Sequence, residues 1–104
     1  MGDGVEPIVV TWVFDAADPA GLASVLARYV VLTRRADGCR NVDLVASATH
    51  VGRSMIVEKW ASTSMQRAHL DSDIAVEMAR ACDGLLTGPP SVDLWEPVSA
   101  QDVE

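Results

Sequence analysis

Residues 8–14 read Ile8-Val9-Val10-Thr11-Trp12-Val13-Phe14, and the fold turns on how that run is read. β-Branched and aromatic residues fill it, as they do a strand. Its alternate positions form two sets, Ile8/Val10/Trp12/Phe14 and Val9/Thr11/Val13, and both are largely apolar. A strand with one wet face alternates apolar and polar side chains, so this one calls for cover on both sides. The next segment supplies the first cover. Asp18-Pro19 opens a helix, with Asp as its cap and Pro at the first helical position. Leu22, Val25, Leu26, Tyr29 and Val30 recur along one stripe until Asp37-Gly38 closes it.

Further along, Val42, Leu44 and Ala46 alternate with Asn41, Asp43 and Val45 in a strand from about Arg40 to Ser47. Thr49-His50-Val51-Gly52-Arg53 is a hairpin turn into a third strand, Ser54–Trp60, on which Met55, Val57 and Lys59 oppose Ile56, Glu58 and Trp60. Ser62 or Thr63 caps a short helix, and Thr63 with Gln66 spells a capping box. Asp71-Ser72-Asp73 interrupts that helix and caps another, whose stripe is Ile74, Met78, Cys82 and Leu85. Gly88-Pro89-Pro90 stops it, a last strand spans Val92–Pro97, and Ser99–Glu104 is a polar tail. The order β-α-β-β-α-α-β predicts a ferredoxin-like α+β fold, a four-stranded antiparallel sheet with helices on one face. The second apolar face of the first strand then needs another partner. Two sheets packed face to face in a two-fold homodimer would provide it, giving a dimeric α+β barrel.

The 104 residues, 11.1 kDa, suffice for one domain, 1–104, with an ordered core of about 6–98 and a tail of 99–104. Fifteen acidic against eight basic residues give a net charge of −7, and no basic cluster exceeds Arg34-Arg35. Nucleic-acid and anionic-membrane binding both require a basic face, so neither is expected. No apolar run is long enough for a membrane helix. The opening MGDGVEP has neither the basic nor the apolar region of a secretory signal. Cys39 and Cys82 lie in separate elements without metal-ligand spacing, and read as reduced thiols of a cytoplasmic protein.

Four segments carry a family resemblance. Thr33-Arg34-Arg35-Ala36-Asp37-Gly38-Cys39 resembles the T-R-x-E-P-G-C helix end of the antibiotic biosynthesis monooxygenase superfamily. Val57-Glu58-Lys59-Trp60 with Ser62 is similar to its V-E-R-W-x-S strand end, and Ala68-His69-Leu70-Asp71-Ser72 to its A-H-L-x-S junction. Leu85-Leu86-Thr87-Gly88-Pro89-Pro90, continuing through Leu94 and Glu96-Pro97, resembles its closing strand. The resemblance implies a dimeric α+β barrel with a small pocket between sheet and helices. It also implies an activity drawn from a range that includes metal- and flavin-free oxygenation of quinols and polycyclic phenols, and haem degradation. The chain departs from the pattern at Ala36-Asp37, at Val42, where an aromatic residue is usual, and at Asp73-Ile74, where a second His is common. Haem-degrading members use an Asn, a Trp and a His whose matching positions here are Trp12, His69 and about Ala79, so the axial His is missing.

Oxygenation without a cofactor makes defined demands. Triplet oxygen reacts slowly with closed-shell molecules, so the substrate must become an electron donor, as a phenol does on losing its proton. The protein must supply a base, donors for the resulting oxyanion, and dry walls. His69 is the candidate base, because imidazole titrates near neutral pH; the plainer reading is a histidine hydrogen-bonded at the helix junction. Trp12 and Trp60 could stack on a flat substrate or donate to it, and otherwise fill the core. Tyr29 on the inner stripe of the first helix could donate into the pocket, and Asn41 could orient a substrate oxygen if its face points inward. Asp43 and Glu58 are strand carboxylates, either of which could be a base raised by burial, the more ordinary outcome being an ion pair with Lys59, Arg53 or an Arg across the dimer. His50 is expected in solvent, and Trp95 at the subunit interface.

These readings predict a cofactor-independent oxygenase acting with O2 on an electron-rich phenol or quinol. His69 would be the base, and Trp12, Trp60, Tyr29 and Asn41 would bind substrate. The competing expectations are a non-catalytic dimeric barrel that carries or senses a small apolar ligand, and another enzyme on this scaffold, an isomerase or a haem-degrading oxygenase.

Overall fold

The Ile8–Phe14 run lies within strand β1 (Ile8–Asp15), and helix α1 (Pro19–Thr33) follows it. After α1 come β2 (Cys39–Ala46), β3 (Arg53–Trp60), α2 (Thr63–Leu70), α3 (Asp73–Ala81) and β4 (Ser91–Trp95). This computed structural model describes residues 6–99; the opening Met1–Val5 and all of the expected tail beyond Ser99 lie outside it. The element order matches the sequence expectation. The four strands form one antiparallel sheet in the order β2-β3-β1-β4, the ferredoxin-like α+β arrangement.

Local chemistry sets the boundaries. The Asp18 side chain accepts from Gly21 N at 3.1 Å, capping α1, and Pro19 follows it. α1 ends at Thr33 rather than at Asp37-Gly38; a turn bridges the gap, and Gly38 (φ 84°) redirects the chain into β2. A Cβ on Gly38 would press into the Met65 side chain, so both its backbone angle and its packing require glycine there. α2 is capped by Ser62, whose oxygen accepts from Met65 N at 3.2 Å. The Thr63–Gln66 capping box is thus replaced by a cap one residue earlier. Ser72 caps α3, accepting from Ala75 N, and its hydroxyl donates to the His69 carbonyl at 2.6 Å. That bond ties the end of α2 to the start of α3.

Register sorts the sheet into two faces. Ile8, Val10, Trp12 and Phe14 pair with Trp60, Glu58, Ile56 and Ser54, and all point toward the helices. Phe14, Leu22, Leu26, Tyr29, Val30, Val42, Ile56, Ala75, Met78 and Cys82 form the main core there, with Ile8, Val10 and Trp60 in an adjoining cluster. The other face carries Val9, Thr11, Val13, Met55, Val57, Asn41, Asp43, Val45 and Trp95, and no element among the described residues covers it. Trp95 is 53% exposed, and β4 is exposed along its whole length. No helix among the described residues is long and apolar enough to cross a membrane.

Candidate functional site

A carboxylate sits in the middle of the core. Glu58 is 2% exposed, because it shares the parity of Ile56 and Trp60 on β3 and so points at the helices. Tyr29 occupies the inner stripe of α1 above it, and its hydroxyl donates to Glu58 Oε2 at 2.5 Å. Trp60, two residues along the same strand face, donates its indole N–H to Glu58 Oε1 at 2.9 Å. The expected strand-surface ion pair is therefore replaced by neutral donors, and Lys59 lies on the opposite face. Arg53 pairs instead with Asp15, at 2.8 Å on the surface.

His69, buried in the last turn of α2, completes the cluster. Its Nε2 lies 3.2 Å from the Tyr29 hydroxyl oxygen and 3.2 Å from Thr33 Oγ1, Thr33 standing one helical turn beyond Tyr29. Tyr29 has a single proton and spends it on Glu58. While Tyr29 donates to Glu58, its contact with His69 is a hydrogen bond in the Nε2–H tautomer; in the Nδ1–H tautomer Nε2 accepts from the Thr33 hydroxyl instead. Rings surround these polar groups. Trp60 lies 4.8 Å and Tyr29 5.7 Å from the His69 ring, and Trp12 stands edge-on to Tyr29 at 6.5 Å while stacking on Phe14 at 6.1 Å. The Trp12 N–H is near enough to Glu58 to favour the ionised carboxyl weakly. It nevertheless reaches no acceptor in hydrogen-bonding geometry, and it is the buried side-chain donor left without a partner among the described residues.

The electrostatics follow from burial. Desolvation pushes the Glu58 carboxyl above its ordinary range, only partly offset by donation from Tyr29 and Trp60 and by the nearby Trp12 N–H. Burial, reinforced by the Glu58 charge, raises the Tyr29 phenol well above its usual value. His69 is lowered by burial. These shifts give opposite limbs of stability against pH. A raised Glu58 contributes stability that is full below the unfolded value of 4.5 and is lost as pH climbs through its folded value. A lowered His69 contributes stability that is full above 6.5 and is lost as pH falls through its folded value. Denaturant midpoints measured against pH will show Glu58→Gln losing the limb that declines above pH 4.5, while the His69 limb remains. A wild-type and Glu58→Gln pair with parallel curves would contradict this.

A cavity of about 290 Å³ opens between α1 and α3, walled by Val25, Leu32, Ile74 and Met78, with Arg28, Asp73 and Glu77 among its polar residues. Tyr29 also lines it, and so belongs to both the cavity and the buried cluster. Of the residues singled out from the sequence, His69, Tyr29, Trp12 and Trp60 are thus brought together. Asn41 is not. It lies exposed on the open face of the sheet, donating to Asp43 Oδ2 at 3.0 Å. Thr33 is the member that sequence reasoning missed, and Glu58 was weighed as a base raised by burial only behind an ordinary ion pair. The available signal for Glu58 was its parity, a charge placed in an otherwise apolar strand set. Cys39 and Cys82 are free, and the described residues contain no group of three His, Cys, Asp or Glu able to hold a metal ion.

Its sequence and fold place the chain in a known class. Residues 10–81 match the family model described as antibiotic biosynthesis monooxygenase, and the chain belongs to that family. No curated protein matches it in sequence. Solved structures that resemble it include Rv0793 from Mycobacterium tuberculosis, at TM-score 0.82 and 28% identity over 90% of this chain and 97% of that one. PA3566 from Pseudomonas aeruginosa aligns at TM-score 0.82 and 18% identity, covering 94% and 100%. SnoaB, a cofactor-independent oxygenase from Streptomyces nogalater, aligns at TM-score 0.80 and 19% identity, covering 90% and 95%.

Proposed function

We propose that the protein is a cofactor-independent monooxygenase that uses O2 to oxidise an electron-rich phenol, small or polycyclic, to a quinone. The observation that carries this reading is Tyr29, at once a wall of an apolar cavity and the hydroxyl of a buried hydrogen-bonded cluster. Membership of the family supports the reaction class, and the fold shared with SnoaB is consistent with it. A cavity of about 290 Å³ suits a flat molecule of two or three rings. Loss of the phenol proton makes the ring electron-rich enough to pass one electron to O2. The resulting radical and superoxide combine at carbon, and loss of water leaves the second carbonyl. The substrate supplies every electron, so phenol and O2 give quinone and water without a further reductant. Tyr29, His69, Trp12 and Trp60 are the residues we assign to binding and proton movement.

The functional unit is a homodimer in this reading. Val9, Val13, Met55 and Val57 are half-buried and Val45 and Trp95 exposed on a sheet face that no element among the described residues covers, more apolar surface than a small monomer usually leaves in water. A second sheet packed on it accounts for that surface. Sedimentation at micromolar concentration will give twice the monomer mass, and Val57→Asp will shift the protein to monomer. A folded wild-type monomer under those conditions would remove the dimer. The free thiols and acidic surface fit a cytoplasmic protein, with no nucleic-acid or membrane partner.

A further inference from the structure

Glu58 is the feature that a core tolerates least. It is a carboxyl group at 2% exposure whose donors, Tyr29 and Trp60, are both neutral. An anion placed so costs several kcal/mol of desolvation, an expense without return if the residue only fills space. We propose that Glu58 is the final holder of the substrate's hydroxyl proton, received through the Tyr29 hydroxyl, and that His69 positions Tyr29. This rests on reading the cavity as the phenol site.

Three observations lead there. Tyr29 is the residue common to cavity and cluster, so a substrate hydroxyl meets it before it meets Glu58 or His69, neither of which lines the cavity. The Tyr29 proton is already directed at Glu58 Oε2 over 2.5 Å. When the substrate O–H breaks and its proton binds the Tyr29 oxygen, the old Tyr29 O–H breaks and an O–H forms on Oε2. Tyr29 ends neutral, Glu58 neutral and the substrate anionic. Finally, charge is conserved within the site, which holds one negative charge before and after. Had His69 taken the proton, a phenolate, the Glu58 carboxylate and an imidazolium would share the same dry space, three charges where the relay through Tyr29 leaves one. The unpaired Trp12 N–H is a donor in reserve for the relocated charge.

The groups facing Glu58 agree with this assignment. α1 offers Tyr29, α2 offers His69 behind it, and β1 and β3 offer the two indoles. β2 offers Cys39, whose thiol is raised by burial and by the Glu58 charge, while Arg34 turns to the Val42 carbonyl at 3.3 Å. α3 contributes Met78 to this core, its Asp73 and Glu77 being exposed on the cavity wall with Arg28.

The test uses 4-nitrophenol, whose anion is yellow, at a pH below its own ionisation. On the wild type, bound 4-nitrophenol will turn yellow, and difference infrared spectra will gain the carbonyl stretch of a protonated carboxyl. Glu58→Gln will bind it colourless with no such band. His69→Gln will retain both signals, and in the oxygen assay its rate will fall only about tenfold, one kcal-scale loss of positioning. Should Glu58→Gln fail to fold, Tyr29→Phe keeps the carboxyl and breaks the relay, and must also bind without colour. Colour retained in Glu58→Gln, or lost in His69→Gln alone, overturns the proton assignment. Bound but colourless 4-nitrophenol on the wild type overturns it too. Failure of 4-nitrophenol to bind at all overturns the cavity reading beneath it.

Discussion

Tyr29→Phe is expected to lower oxygen uptake with a phenolic substrate by about 10²- to 10⁴-fold, the range spanned by loss of a positioned proton-transfer group. The substitution is nearly silent in shape. Phe keeps the ring in the α1 stripe against Trp12 and His69 and removes a single oxygen. That oxygen carries the contacts to both Glu58 and His69. A buried carboxylate then keeps Trp60 as its donor, and leaving such a group short of a partner costs about 1–3 kcal/mol. For a domain of this size each kcal/mol lowers Tm by about 4–8 °C. An oxygen electrode and a thermal melt read the two effects separately. Equal rates for Tyr29→Phe and wild type would mean that the hydroxyl takes no part in proton movement.

The largest effect on stability is expected at Trp60. Its side chain is fully buried, touches the His69 ring and donates to Glu58. Trp60→Ala should cost about 3–5 kcal/mol from the lost burial and the cavity left behind. That is a large part of the 5–15 kcal/mol by which domains are ordinarily stable. Trp60→Phe separates the contributions, since it retains much of the volume and loses the N–H; its cost should be smaller by about 2 kcal/mol or more. Urea midpoints of the two variants measure the difference. A Trp60→Phe variant as unstable as Trp60→Ala would assign the whole effect to the indole donor, and the packing argument would fail.

Periodicity was sufficient for the scaffold because each element carries its own signal. The doubly apolar β1, the Leu22–Leu26–Tyr29 stripe and the caps at Asp18 and Ser72 all act within a few residues. The cluster was legible residue by residue, not as a cluster: Tyr29, Trp12, Trp60 and His69 stand out by type, but their meeting depends on strand register. Asn41 shows the limit. It alternates with the buried Val42 and so shares the open face with Asp43 and Val45. Alternation tells which residues share a face, while which face meets the helices depends on the fold. Glu58 was misjudged for a different reason. A carboxylate on a strand most often faces water, and its partners lie on α1, twenty-nine residues away at Tyr29, and on its own strand at Trp60. The end of α1 was overrun because Arg34–Asp37 offers no breaker before Gly38, whereas the chain already turns after Thr33.

The central claim is that Tyr29 and the buried cluster behind it remove a proton from a phenol so that O2 can oxidise it. Oxygen consumption, followed with an electrode across a panel of electron-rich phenols, quinols and anthrones, tests it most directly, with product quinone quantified alongside. The account predicts uptake above autoxidation for at least one flat two- or three-ring member, matched by quinone and abolished in Tyr29→Phe. Ligands that raise Tm yet are recovered unaltered, with uptake at the autoxidation rate throughout, would contradict it and make this protein a carrier.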